Sequence, residues 1–307
     1  MSKAIVFTSY GGPEVLHLVE VPVVAPKSGE VLVRVRAAGV QPFDTLFRSG
    51  AAQRWVPANF PQRLGNEWAG TIEAIGSGVT MFSAGDEVLG WAMLTAYGEH
   101  VVVSVDQLVR KPPRMPWSEA GALTASGQTA STALEELNVG DGQTVLIHAA
   151  AGGVGSFAVQ IALVKGATVI GTASERNRDY LRSLGAVPVI YGDNLVQKIR
   201  SVSPGGIDAA LVAVDSAEAM QASIELVADK SRVGTVTFSP LARQLGIRQL
   251  STERSVNRLN ELVTMYSAGQ LRANLQREFP LADATEAHRL IEGGHVRGKI
   301  VLMVSHD

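Results

Sequence analysis

A chain of 307 residues, 46% apolar and 18% charged, can bury two cores and does not have the make-up of a disordered segment. Its formal charge of -2 and pI near 6.3 give no basic face for nucleic acid or an anionic membrane surface, and no run of about 18 apolar residues marks a membrane span. Cysteine is absent, which removes disulfides, a thiol nucleophile and cysteine-ligated zinc, and the six histidines are too scattered for a two-histidine helical metal motif.

In chain order, the opening Met1–Phe7 reads as a strand and lacks the apolar core and cleavage site of a signal peptide, so a cytoplasmic location is expected. Val31–Arg36 alternates apolar and polar, and Thr71–Ile75 and Glu99–Ser104 are also strand-like. Glycine and proline punctuate this stretch, which predicts a small irregular barrel or sandwich over the first hundred or so residues. After Lys111-Pro112-Pro113 a helical pattern starts at Trp117, with Ser118 as its expected cap. From Gln143 short apolar strands alternate with helices. Strands are expected at Thr144–His148, Thr168–Gly171, Val187–Tyr191, Ala209–Ala213 and Arg232–Phe238, with helices at Ser156–Lys165 and Arg176–Leu184. That alternation predicts right-handed βαβ units around a doubly wound parallel sheet, an α/β class of fold. The tail carries two helices, Val256–Tyr266 and Asp283–Ile291, and a last strand, Lys299–Val304.

The run from His148 to Gly155, His-Ala-Ala-Ala-Gly-Gly-Val-Gly, follows a strand and opens a helix. That context suits a dinucleotide: glycines clear the way for a pyrophosphate, and a helix start offers free N–H groups and partial positive charge. Gly152, Gly153, Val154 and Gly155 are the expected pyrophosphate cradle. An NAD site places Asp or Glu at the end of the second strand, about 20 residues on. Here that position is Ala173, followed by Ser174, Glu175, Arg176, Asn177 and Arg178. Ser174 can hydrogen-bond a 2′-phosphate and Arg176 or Arg178 can pair with it, so NADPH is the expected cofactor. The arginines also read as a solvated helix face, and Glu175 as a cap.

Several segments resemble the medium-chain dehydrogenase/reductase superfamily, and within it the zinc-free quinone oxidoreductase (zeta-crystallin-like) branch. They are Tyr10–Leu16, Ala38–Gly50, the Gly-x-Glu-x-x-Gly element within Leu64–Gly70, Gly127–Ala130, Ala149–Gly155, Gly171–Ser174 and Gly298–Leu302. The resemblance implies a GroES-like substrate domain over residues 1–117 and 252–307 and a Rossmann-type domain over 118–251. It places Gln41 and Thr129 near the nicotinamide, Phe238 against its end, and Ser174, Arg178 and Tyr191 at the 2′-phosphate. Asn66 stands where zinc-dependent members carry histidine. Gln41 stands where the branch has asparagine, Leu46 where it often has tyrosine, and Tyr191 about one position early. Plainer readings stay open: Gln41 bracing a turn, Thr129 packing a helix, Phe238 in a core.

Without a metal, hydrogen-bond donors must polarise the acceptor, and Gln41 and groups near Thr129 are the candidates. No nucleophile with an adjacent base is evident, which suits direct hydride transfer to an electron-poor quinone or α,β-unsaturated carbonyl. Leu46, Trp55 and Trp91 are expected to line an apolar cleft, or simply to pack. Asp44 reads as orienting its neighbours or as a surface carboxylate. Two other functions compete. One is an enoyl reductase of a polyketide-like intermediate, weakened by Leu46 in place of a tyrosine proton donor. The other is a non-catalytic NADPH-binding protein. By analogy with the family, a homodimer is expected through a sheet edge near Leu245–Leu250.

Overall fold

The computed structural model describes residues 1–304. The chain forms one unit from Met1–Ala125, Ser255–Thr264 and Ala273–Asp307, and a second from Ser126–Arg254 and Met265–Arg272.

The first unit is β-rich. Its strands are β1 (Ser2–Phe7), β2 (His17–Val21), β3 (Glu30–Val40), β4 (Gln62–Arg63), β5 (Glu67–Ile75), β6 (Glu87–Trp91), β7 (His100–Ser104) and β8 (Leu108–Arg110). The organising strand is β3, which buries Val31, Val33 and Val35 and turns Arg34 out, as its alternation predicts. It pairs antiparallel with β5 and β7, and a bend after Val40 leads into helix α1 (Pro42–Arg48). Phe7, Phe47, Leu64, Trp68 and Tyr97 fill the core.

Helix α2 (Trp117–Glu136) starts one residue before Ser118, so Ser118 lies in its first turn rather than capping it. The residues just before it, Lys111–Pro116, are rich in proline, and three prolines fix the chain direction into the helix.

The second unit is built on β9 (Thr144–His148), β10 (Thr168–Ala173), β11 (Val187–Ile190), β12 (Ala209–Val212), β13 (Val233–Thr235) and β14 (Arg248–Gln249). These strands lie in the order β11-β10-β9-β12-β13-β14, and each neighbouring pair is parallel. The helices α3 (Gly153–Val164), α4 (Arg178–Ser183), α5 (Leu195–Val202), α6 (Ala217–Leu226) and α7 (Pro240–Gln244) connect them. The order reverses between β9 and β12, and the carboxyl ends of strands at such a switch point are where ligands bind in doubly wound sheets. The fifth strand ends at Thr235, short of Phe238, because the Thr235 hydroxyl turns back to meet Thr237 (Oγ1 to Oγ1 2.8 Å) and takes its backbone N–H at 3.1 Å.

After α8 (Val256–Ser267) the chain adds β15 (Leu275–Pro280), α9 (Ala284–Glu292) and β16 (Lys299–Met303) to the first unit. There β16 pairs antiparallel with β3. The expected α/β class, a doubly wound parallel sheet with a β-rich partner domain, is the observed one. Among the described residues no helix is long and apolar enough to cross a membrane.

Candidate functional site

The turn after β9 is held by the neighbouring strand. Ala150 N–H donates to Thr172 O at 3.0 Å, and a ring nitrogen of His148 meets Thr172 Oγ1 at 3.0 Å. Ala149 sits at φ 53°, in the left-handed region, which redirects the chain. Gly152 N–H then bonds back to Ala149 O at 2.9 Å and α3 begins. Gly152, Gly153 and Val154 remain partly open, and no acidic residue occupies the first turn of α3 to oppose an anion. A Cβ on Gly155 would overlap Ala149 O and lie 2.8 Å from Ala150 Cα. Only glycine lets the helix start so close to the turn. Such a cradle fits a pyrophosphate: open N–H groups, a favourable helix dipole and no competing carboxylate. Burial alone holds the His148 pKa down to about 3, so this ring is neutral beside the turn.

At the far end of β10, Ala173 is buried, and Tyr191 N–H donates to Ala173 O at 3.3 Å. Ser174 and Tyr191 are thereby brought together at the carboxyl ends of adjacent strands. Ser174 Oγ accepts from Asn177 Nδ2 at 3.3 Å. Arg178, the first residue of α4, is exposed and pairs with Glu175 at 2.9 Å. Glu175 is thus the partner of Arg178 and not a helix cap. Phe238 follows β13 and is 53% exposed, so it is not a core aromatic. Thr129 lies in α2 and is 9% exposed.

In the first unit, Gln41 follows the last residue of β3 and is the N-cap of α1. Its Nε2 donates to Glu67 Oε1, which also accepts from Lys299 Nζ at 2.9 Å. Glu67 Oε2 accepts from Ala125 N–H at 2.7 Å, and Lys299 Nζ donates to Val40 O at 3.2 Å. Asp44 is fully buried, which rules out the surface carboxylate. It accepts from Gln41 N–H at 2.9 Å, Asn66 Nδ2 at 2.7 Å and Tyr97 OH at 2.9 Å. Burial outweighs these donors and raises the Asp44 pKa to about 6. The Tyr97 phenol is pushed well above its usual range, first by burial and then by Asp44.

Leu46 and Trp55 lie close in sequence, in α1 and in the turns that follow it, and Trp55 is 60% exposed. Trp91 is half-buried at the end of β6, opposite Glu67 in the strand register. In the sequence, Glu67 and Lys299 fall inside motifs without a role of their own, and Tyr97 stands in none. The available signal was an acid and a lysine inside apolar strands, which must find partners when buried.

Residues 184–302 match the zinc-binding dehydrogenase family, and residues 27–113 match the alcohol dehydrogenase GroES-like domain. A quinone oxidoreductase of Pseudomonas aeruginosa is 32% identical over 99% of this chain and 100% of its own length. The solved quinone oxidoreductase of Coxiella burnetii is 33% identical, with a TM-score of 0.86 over 99% of each chain. The Escherichia coli quinone oxidoreductase solved with NADPH is 28% identical, with a TM-score of 0.86 over 98% of this chain and 99% of that one. The CurK enoyl reductase is 26% identical with the same TM-score of 0.86, over 99% of each chain. The chain is an oxidoreductase built on a nucleotide-binding dehydrogenase fold, and it belongs to the medium-chain dehydrogenase/reductase superfamily, in the quinone oxidoreductase branch.

Proposed function

We propose that this protein is a zinc-independent reductase that transfers hydride from NADPH to a quinone or an α,β-unsaturated carbonyl. One observation carries the cofactor choice. At the carboxyl end of β10, where an NAD site places a carboxylate, stand buried Ala173 and the hydroxyl of Ser174, with Tyr191 alongside on the neighbouring strand. Arg178, a few residues on, supplies the cation for a 2′-phosphate by leaving Glu175. That surface pair is a weak competitor, because exposed ion pairs contribute little.

The donor set supports a metal-free reaction. The chain has no cysteine, Asn66 precedes Glu67, and both Glu67 oxygens are taken by Gln41, Lys299 and the Ala125 amide. Bound NADPH supplies the hydride. Gln41 and Thr129 hold and polarise the acceptor carbonyl, a modest task for an electron-poor acceptor. Phe238 rests against the nicotinamide end, and Leu46, Trp55 and Trp91 form the apolar side of the acceptor site. The exposed edge strand β14 is the proposed pairing edge of a homodimer, which sedimentation would test.

The deciding experiment follows NADPH and NADH oxidation with a panel of quinones and enones, for the native protein and Arg178→Ala. Faster turnover with NADPH is expected. Arg178→Ala should weaken NADPH binding about tenfold or more while leaving NADH nearly unchanged. Equal use of both cofactors refutes the 2′-phosphate assignment. Turnover of enones alone favours an enoyl reductase, and tight NADPH binding without any turnover favours a non-catalytic binder.

A further inference from the structure

We infer that Glu67 and Lys299 are a positioning pair that fixes the direction of the Gln41 amide toward the acceptor, an inference that rests on the role proposed above for Gln41.

The strand register puts the three residues together. Ile300 lies opposite Val40 and Trp68 opposite Ala38, so Lys299 and Glu67 flank the carboxyl end of β3 from its two neighbours. All three side chains are buried. Glu67 reaches Gln41 by crossing over Gly39, where a Cβ would lie 2.6 Å from Glu67 Cδ and closer still to Oε1. The Gly121 carbonyl oxygen would lie 2.6 Å from the same Cβ, so the carboxylate and this carbonyl together keep position 39 bare.

The pair does something to Gln41 that packing alone would not. The oxygen and nitrogen ends of a glutamine amide have nearly the same shape, so a partner able to both donate and accept leaves two orientations close in energy. Glu67, held opposite the Lys299 ammonium, is an acceptor only. It therefore takes one Nε2 hydrogen and leaves the second Nε2–H as the donor available to the acceptor carbonyl. A buried ion pair with a purely structural role can often be replaced by neutral side chains of similar size at little loss. A positioning pair cannot.

The test compares Glu67→Gln/Lys299→Met, Glu67→Asp, Gln41→Ala and the native enzyme. The double variant removes both charges together, so neither is left buried alone. Glu67→Asp keeps the ion pair but draws the carboxylate back from Gln41 by one methylene. The readouts are thermal midpoint, NADPH affinity by fluorescence, and kcat and KM with a quinone. NADPH affinity should stay within about twofold, because the residues proposed to hold the pyrophosphate and the 2′-phosphate are untouched. The kcat should fall about tenfold to hundredfold in both Glu67 variants, as for a misplaced group, with a smaller change in KM. Adding Gln41→Ala to the double variant should cost nothing further. If the double variant does not fold, Glu67→Asp decides alone. A slow Gln41→Ala beside Glu67 variants that turn over at the native rate overturns this inference only. A Gln41→Ala enzyme at the native rate overturns the role of Gln41, and this inference with it.

Discussion

Replacing His288 by leucine should flatten the acid sensitivity of this protein. His288 lies on α9 with no exposed surface, its ring edge-on to Tyr97 at 5.9 Å between centroids. Neither ring nitrogen has a hydrogen-bond partner among the described residues. Burial, and then the nearby Arg48 guanidinium, hold its pKa down to about 3 from 6.5. In the unfolded chain the ring takes up a proton near pH 6.5, whereas the folded state refuses one until about pH 3. Stability is therefore complete above pH 6.5 and falls as pH drops, by about 1.4 kcal/mol per pH unit from this one group. Between pH 7 and pH 4.5 the loss is about 3 kcal/mol, a large share of the 5–15 kcal/mol typical of a domain. Leucine leaves no polar atom unpaired and is close in size, so at pH 7 the variant should lie within about 1 kcal/mol of the native protein. Urea unfolding of both proteins at the two pH values gives the difference directly. His148 contributes with the same sign and cancels in the comparison. If both proteins lose the same stability between pH 7 and 4.5, the reasoning about His288 is wrong.

Asp44 should act in the opposite direction. Its pKa is raised from 3.8 to about 6, so the folded state holds a proton that the unfolded chain has released, and the associated stability is lost as pH rises through 6. Relative to Asp44→Asn, the native protein should lose about 2 kcal/mol between pH 4 and pH 7, and a constant difference in urea unfolding would contradict this. Gly155→Ala forces backbone against backbone at the glycine turn. It should cost about 1–3 kcal/mol of stability and weaken NADPH about tenfold or more, and an unchanged thermal midpoint and affinity would sink the close-packing argument. Ala149→Gly relieves the left-handed backbone at φ 53°. It should change stability by no more than about 1 kcal/mol and leave NADPH binding intact, and a large loss of affinity would mean that the Ala149 methyl itself shapes the cradle.

The second unit was legible because its signals are local. A strand, a glycine turn and a helix occupy one continuous stretch from Thr144 to Val164, and β10 to β13 are again short and apolar, whereas the edge strand β14 is polar and exposed. The errors there were small and have side-chain causes, such as Thr235 ending β13 early. The polar cluster of the first unit was not legible in the same way. Gln41, Glu67 and Lys299 meet only because β16 returns from the end of the chain to pair with β3. No spacing rule carries that pairing, so in the sequence Gln41 reads alone, as a hydrogen-bond donor or as a turn brace, without the carboxylate that directs it. For the same reason the sequence leaves Asp44 between orienting its neighbours and lying at the surface, since its partners Asn66 and Tyr97 come from other segments.

The bare backbone at Gly39 also restricts how this sequence can change over time. A methyl at position 39 and a carboxylate at position 67 claim the same volume. The same Cβ would lie 2.6 Å from the backbone oxygen of Gly121, so alanine at 39 stays barred even after 67 has shortened. Shortening 67 in turn leaves the Lys299 ammonium without its counter-charge. Lys299 must therefore go with or before Glu67, while Gly39 is held closed by the backbone whatever happens at the other two.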